Sequence, residues 1–262
     1  MEEEDMLDRI RKAGEDMIGI LGLAISPVGV RLIRMDAPYP EGATVLKQHR
    51  YCQALMKARH GENVILHGDG IACPAANSAF GFKSLPAGLK SGKGLVGFGI
   101  VSDEAVGKKM FELMPHLKDN EIKAIHLFPL ESARDIPDVV VVEDEVEKLM
   151  WIGLAYVHAT GGERISSSTA ILQATCVDAT IIPYIEQRLN MSYGCYGCRD
   201  ATDIGPHETV LGFPVSVLDK IIAHLHCLAK KAIPASRGKN ALSAHEEREK
   251  MNMDCTSEEI ID

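Results

Sequence analysis

Two thiols three residues apart, Cys195 and Cys198, lie in the stretch Asn190-Met-Ser-Tyr-Gly-Cys-Tyr-Gly-Cys-Arg-Asp200, with the guanidinium of Arg199 beside them. Such a turn lets two sulfurs converge on one point, as a soft metal or an iron–sulfur cluster requires. Without a secretory signal, a Cys-x-x-Cys pair reads as part of a structural zinc site, as cluster ligands or as a redox dithiol. The dithiol requires the motif at the start of a helix. Residues 199–206 include Gly205-Pro206 and are expected to form no long helix, which demotes that reading. A zinc ribbon needs a second Cys-x-x-Cys knuckle, and the chain has none. His207 stands beside Pro206 and reads as a solvated loop residue. What remains is a site assembled from cysteines far apart in sequence, compatible with cluster ligation.

Three upstream cysteines are the natural contributors: Cys52, Cys73 and Cys176. Taken singly, each reads more readily as core, because free cysteine is among the most often buried residue types. Cys73 is the best placed, with the glycine turn Gly68-Asp-Gly70 before it and Pro74 after it. Cys52 is expected mid-helix beside Tyr51, Cys227 in the core of the last helix, and Cys255 in a terminal tail. Other chemistry is weakly signalled. His224 and His226 are two apart on an expected helix and point to different faces. Gly88-Leu-Lys-Ser-Gly-Lys-Gly94 lacks the spacing of a phosphate loop, and Ser166-Ser-Ser-Thr169 lacks the Gly-x-Ser-x-Gly turn of a nucleophile. Arg199 is the one cation placed to hold an anionic cofactor or offset cluster charge, although a surface salt bridge is the commoner fate of an arginine.

The elements that must position these thiols alternate between helical and strand patterns. Residues 3–22 read as an amphipathic helix, 27–34 as a strand, and 45–60 as a helix ended by Gly61. Residues 63–67 read as a short strand, and Cys73-Pro74 as the entry to a short helix. A strand is expected at 95–101, and a helix capped by Ser102 runs toward Met114. In the second half, strands are expected at 122–128, 139–142, 165–171 and 209–217. Helices are expected from Asp144 through Val157, at 181–189 and at 218–231. Residues 234–262 read as a polar mobile tail. The organisation is therefore an N-terminal helix (1–22), a first α/β half (23–120), a second half carrying the Cys-x-x-Cys turn (121–233) and the tail.

Lys57-Ala-Arg-His-Gly-Glu62 lines up with His158-Ala-Thr-Gly-Gly-Glu163, and Val96-Gly-Phe98 with Leu211-Gly-Phe213. The matches suggest a weak internal duplication into two related α/β halves about a pseudo-two-fold axis, with chance similarity as the alternative. The fold class is α/β, with mixed sheet flanked by helices.

Bulk composition excludes several classes. The 262 residues carry a formal net charge of −9, and no basic stripe is present for phosphate neutralisation, so no nucleic-acid partner is expected. The longest near-apolar run, residues 17–30, is interrupted by Ser26 and Pro27, so no membrane partner is expected. The N-terminus lacks a signal peptide's apolar core, and seven cysteines then point to a reducing, cytoplasmic setting.

These motifs resemble the DUF169 family, named for a domain of unknown function. The resemblance is carried by Pro27-Val-Gly-Val, Cys52-Gln-Ala-Leu-Met-Lys-Ala-Arg-His-Gly-Glu62, Asp69-Gly-Ile-Ala-Cys73, Pro137-Asp-Val-Val-Val, Cys176-Val-Asp-Ala and Ser192-Tyr-Gly-Cys-Tyr-Gly-Cys-Arg199. It runs from about residue 15 to 230. It places the family's cysteine boxes on Cys52, Cys73, Cys176 and Cys195. Four thiolates suit one cubane cluster. Cys198 departs from the family pattern, which leaves its role open between ligand, spare thiol and replacement for Cys195. The expectation is a cytoplasmic iron–sulfur protein, [4Fe–4S] favoured, with a redox or small-molecule role and a redox partner protein. A homo-oligomer is compatible with it. The alternatives are a structural zinc and a metal-free ligand-binding or scaffolding protein.

Overall fold

The computed structural model describes residues 2–237. Seven strands build one sheet: β1 (Val28–Arg34), β2 (Thr44–Leu46), β3 (Val64–His67), β4 (Ile122–Pro129), β5 (Val139–Glu145), β6 (Asn190–Ser192) and β7 (Glu208–Pro214). Their order is β2-β3-β4-β1-β5-β7-β6. Only β2 and β3 run parallel; every other pair is antiparallel, so the α/β fold has a mixed sheet.

Side chains on a strand alternate between faces, so a strand apolar at every position must be covered on both sides. In β5, Val139 and Val141 enter one core while Val140 and Val142 enter the other. In β7, Val210 faces the first core, and Leu211 and Phe213 face the second. The second core is closed by three long helices: α1 (Glu2–Leu21), α7 (Val146–Ala159) and α10 (Leu218–Lys230). Each lays an i, i+3, i+4 stripe on the sheet, such as Ile10, Ala13, Met17 and Leu21 in α1.

Shorter pieces cover the first face. They are α2 (Tyr51–Arg59), α3 (Pro74–Ala79), α4 (Ala87–Lys90), α5 (Lys93–Gly97) and α6 (Glu104–Glu112). A π-helix (Ala174–Ile181) continues into α8 (Ile182–Glu186), and α9 (Tyr196–Ala201) follows β6. A last short helix, α11 (Ala232–Arg237), ends the described residues.

Several expectations need correction. The helix expected over 45–60 begins only at Tyr51, because residues 44–46 pair with β3. Cys52 is therefore in a first turn and not mid-helix. Residues 95–101 form no strand, since α4 and α5 occupy the glycine-rich segment. The cap of α6 is Asp103, whose carboxylate accepts the Ala105 amide at 2.6 Å, and not Ser102. Residues 165–171 also form no strand; the Asn190 side chain takes the place of a neighbouring strand, accepting from the Ser168 amide (2.8 Å) and donating to its carbonyl (2.9 Å). Cys227 is exposed rather than core. Residues 234–237 are helical, and the rest of the expected tail, with Cys255, lies outside the described residues. Both expected halves contribute strands to the one sheet. The second duplicated motif is no structural repeat, because Val96-Gly-Phe98 lies at a helix end and Leu211-Gly-Phe213 within a strand.

Candidate functional site

The first face contains a cavity of about 470 Å³, and Cys52, Cys73, Cys176, Cys195 and Cys198 all line it. The remaining wall is mostly apolar, with Leu89, Leu95, Phe111 and Leu172 among its side chains. Four separate elements deliver these thiols, and each does so from a helix start. Cys52 is the second residue of α2 and Cys73 the residue preceding α3, with Pro74 opening that helix. Cys176 is the third residue of the π-helix. Cys195 caps α9 and Cys198 lies in its first turn. Helix starts present unpaired backbone N–H groups, an environment that favours negative charge.

Specific contacts hold these starts together. An isolated parallel bridge between His49 and Ile71, with His49 N–H donating to the Gly70 carbonyl (3.0 Å) and Ala72 N–H to the His49 carbonyl (2.9 Å), sets the approach to Cys52 beside the approach to Cys73. The Asn77 amide donates to the Gly68 carbonyl at 2.6 Å and braces the turn ahead of Cys73. The hydroxyls of Tyr51 and Thr180 meet at 2.8 Å in a buried hydrogen bond, which locks α2 to the π-helix. The Arg50 guanidinium donates to the Gly197 carbonyl (2.9 Å) and to Asp200 (3.1 Å), and Gln53 donates to the Ala201 carbonyl (3.3 Å). The Cys-x-x-Cys turn is thereby fastened to the start of α2.

The π-helix is the unusual part. Eight residues with a widened turn are rare, and such segments concentrate at functional sites. Two non-glycine residues before and at its cap, Ile171 and Gln173, have φ of 56°. For a β-branched residue this is a strained conformation, costing on the order of 1–3 kcal/mol. Beneath the segment lies Gly212, where a Cβ would stand 1.8 Å from the Ala179 carbonyl oxygen. The sheet is bare there so that the π-helix can rest on it and hold Cys176 toward the cavity.

The thiols differ in their electrostatics. The Cys195 thiol is drawn down to about 6, first by its hydrogen bond with the Cys198 thiol and then by amides of Ala174, Cys198 and Gly197, against the cost of burial. Cys198 moves the opposite way, because its proton is held toward Cys195 and its site is buried. Burial pushes Cys52 up to about 12, and charge on Cys195 and Cys73 adds to the shift. Cys176 is raised well above its ordinary value by burial, then by charge on Cys73, Cys195 and Cys52. The five sulfurs sense one another, and the cavity resists collecting several negative charges without a cation among them.

Below the thiols, Glu143 is fully buried against Arg59, with Nη1 and Oε2 3.3 Å apart. Both Glu143 oxygens lack a hydrogen-bond partner among the described residues, so the contact is poorly aligned, and burial pushes the carboxyl up to about 7, so that the pair is ionic only as the pH rises through that value. Arg59 also reaches Asp203.

Arg199 does not line the cavity. Its guanidinium donates to the carbonyls of Tyr193 (2.6 Å), Gly205 (2.8 Å) and Glu208 (3.0 Å) and so shapes the loop behind the thiols. Gly194, at φ +90°, leaves room for it. The cation at the cavity wall is Arg50, which sequence reasoning passed over; its place two residues before Cys52 was the available signal. Residues 199–206 form no long helix, as expected, yet the Cys-x-x-Cys pair does open a six-residue one, with Cys195 as its cap. It ends before Gly205-Pro206.

Among the described residues, no group of three or more His, Cys, Asp or Glu side chains is placed to hold a single metal ion. A tetrahedral zinc needs its sulfurs at about 2.3 Å from one centre. Among the described residues, no helix is long and apolar enough to cross a membrane.

Residues 16–224 match the family model described as uncharacterised ArCR, DUF169, a span that contains all five cavity cysteines. An uncharacterised protein of Methanocaldococcus jannaschii is 29% identical over 219 residues, covering 82% of this chain and 93% of that protein. No solved structure matches the chain.

Proposed function

The chain belongs to the DUF169 family, and we propose that it binds an iron–sulfur cluster, [4Fe–4S] favoured, in the thiol-lined cavity. The observation that carries this reading is the convergence of five cysteines, from four elements spread over residues 52–198, on one otherwise apolar space. Buried thiols scattered through a core would have no reason to share a wall. Cys52, Cys73, Cys176 and Cys195 would hold the cluster, one on each of the four helix starts. A bound cluster supplies one-electron transfer, at a potential set by hydrogen bonds to its sulfurs and by solvent exposure.

The rest of the chain would tune that chemistry. The apolar side chains of α4, α5 and α6 exclude water from the thiols. Backbone amides of Ala174 and Cys198 already point at the Cys195 sulfur and would continue to stabilise charge there. Arg50 supplies a positive group at the wall to offset the charge of a thiolate-bound cluster. With four protein thiolates the role is electron transfer, in the cytoplasm and with a redox partner protein. None of the six cysteines among the described residues is in a disulfide.

Anaerobic reconstitution with iron and sulfide tests the reading. The expected product is brown, with a broad visible absorption that Cys176→Ser greatly reduces. A colourless protein carrying stoichiometric zinc would overturn the proposal. A Cys73→Ser variant that kept full iron and absorption would remove Cys73 from the ligand set.

A further inference from the structure

We propose that Cys195 and Cys198 form a dithiol/disulfide site of their own, in which Cys195 attacks a small disulfide and Cys198 resolves the product. The dithiol chemistry needs no metal and does not rest on the cluster reading; only its consequence for cluster loading does.

The five cavity thiols are not equivalent in their contacts. The Cys195 amide donates to the Cys198 sulfur at 3.0 Å, and the Cys198 amide donates to the Cys195 sulfur at 3.4 Å. The Cys198 thiol also reaches back to the Cys195 carbonyl at 3.2 Å. Both side chains are therefore folded over the same single turn with their sulfurs turned toward each other. Cys176 instead directs its thiol at the Gln173 carbonyl, 3.6 Å away, one turn back in its own helix. Among the described residues, no other two cavity cysteines are joined by hydrogen bonds in this way.

Access is asymmetric as well. Within the pair, Cys195 retains 9% of its surface and Cys198 only 1%, so a reagent in the cavity reaches Cys195 before Cys198. The turn carrying both is clamped to α2 through Arg50 and Gln53, so the backbone is already held in place. Closing the pair requires side-chain rotation rather than refolding.

The reaction balances with a low-molecular-weight disulfide as oxidant. The Cys195 thiolate attacks one sulfur of the reagent, forming a mixed disulfide and expelling the other half as a thiolate. The Cys198 thiol gives its proton to that thiolate. Its sulfur then attacks the Cys195 sulfur, forming the Cys195–Cys198 bond and releasing the second half as a thiolate, which takes up from solvent the proton that Cys195 gave up on ionising. Two protein thiols are oxidised by two electrons, and one disulfide is reduced to two thiols. This gives the fifth cavity cysteine a role: Cys198 protects Cys195 when the cavity is empty and leaves it free again on reduction. Oxidised chains would lack one of the four proposed ligands.

The test uses the full-length, metal-free, reduced protein with bis(2-hydroxyethyl) disulfide under anaerobic conditions, followed by acid quench, alkylation and peptide mass spectrometry. The wild type should yield the Cys195–Cys198 disulfide. Cys198→Ser, and Cys198→Ala as a second variant, should accumulate the hydroxyethyl adduct at Cys195. Cys195→Ser should leave Cys198 unmodified. The proposal is overturned by a persistent mixed adduct in the wild type, by a bond from Cys195 to another cysteine, or by no reaction at either thiol. Iron uptake by oxidised and reduced protein separates the two proposals. If the disulfide maps as expected and neither form takes up iron, the cluster reading fails and the dithiol site stands.

Discussion

On one face of the sheet lie α1, α7 and α10, of 20, 14 and 13 residues, laying continuous apolar stripes on the strands. On the other lie helices of nine residues or fewer, a π-helix, two residues at strained φ, a buried ion pair and a cavity of about 470 Å³. The same strands serve both, because alternate side chains of β5 and β7 point to opposite sides. Long helices gain stability by burying a stripe; short ones bring many helix starts to one place. The contrast divides the labour: the closed face stabilises the sheet, and the open face spends part of that stability on a strained, thiol-lined site.

The largest effect should come from the closed face. Phe213 is fully buried there, and Phe213→Ala should cost about 3–5 kcal/mol of unfolding free energy by denaturant titration. The folded protein should keep its thiol reactivity, since none of the cavity wall is disturbed. A loss of Cys195 reactivity in the folded state would show that the two faces are not separable.

Gly212→Ala tests the sheet's support of the open face. The added methyl must displace the Ala179 carbonyl, and overpacking of this kind costs roughly 1–3 kcal/mol, occasionally more. Unlike Phe213→Ala, it should also change the alkylation rate of Cys176, which the π-helix carries. An unchanged rate would mean that the π-helix does not depend on Gly212 for its position.

A smaller effect is a slope rather than a loss. Burial pushes the Glu143 carboxyl up to about 7 from an ordinary 4.5, with Arg59 opposing the shift. The folded state then holds a proton that the unfolded chain has released. The contribution is therefore full below pH 4.5 and lost as the pH rises through about 7. Glu143→Gln should flatten that part of the pH–stability curve, measured by urea unfolding at several pH values. The smallest effect belongs to neither face: Cys227 is exposed, and Cys227→Ser should shift stability by less than about 0.5 kcal/mol and leave iron content unaltered.

The closed face was largely legible in the sequence, because long amphipathic helices and continuous β-branched strands carry strong periodic signals. Residues 3–22 and 218–231 were read nearly to their ends, and Cys73-Pro74 announced its own helix start. The open face was legible only in part. Its cysteines could be named, but what gathers them is tertiary: the His49–Ile71 bridge, the Tyr51–Thr180 hydrogen bond and the Arg50 clamp join residues too far apart for any local pattern to pair. A π-helix has no familiar hydrophobic period, so residues 174–181 gave no sign of themselves. Local chemistry pointed to Arg199 because it adjoins Cys198, whereas its guanidinium is taken up by backbone carbonyls and Arg50 reaches the cavity instead.

The most direct test of the central claim is the iron and acid-labile sulfide content of protein isolated without exposure to oxygen. The account expects about four of each per chain, lost together when Cys52, Cys73 and Cys176 are replaced by serine. Iron and sulfide absent from the wild type after both anaerobic isolation and reconstitution would contradict it.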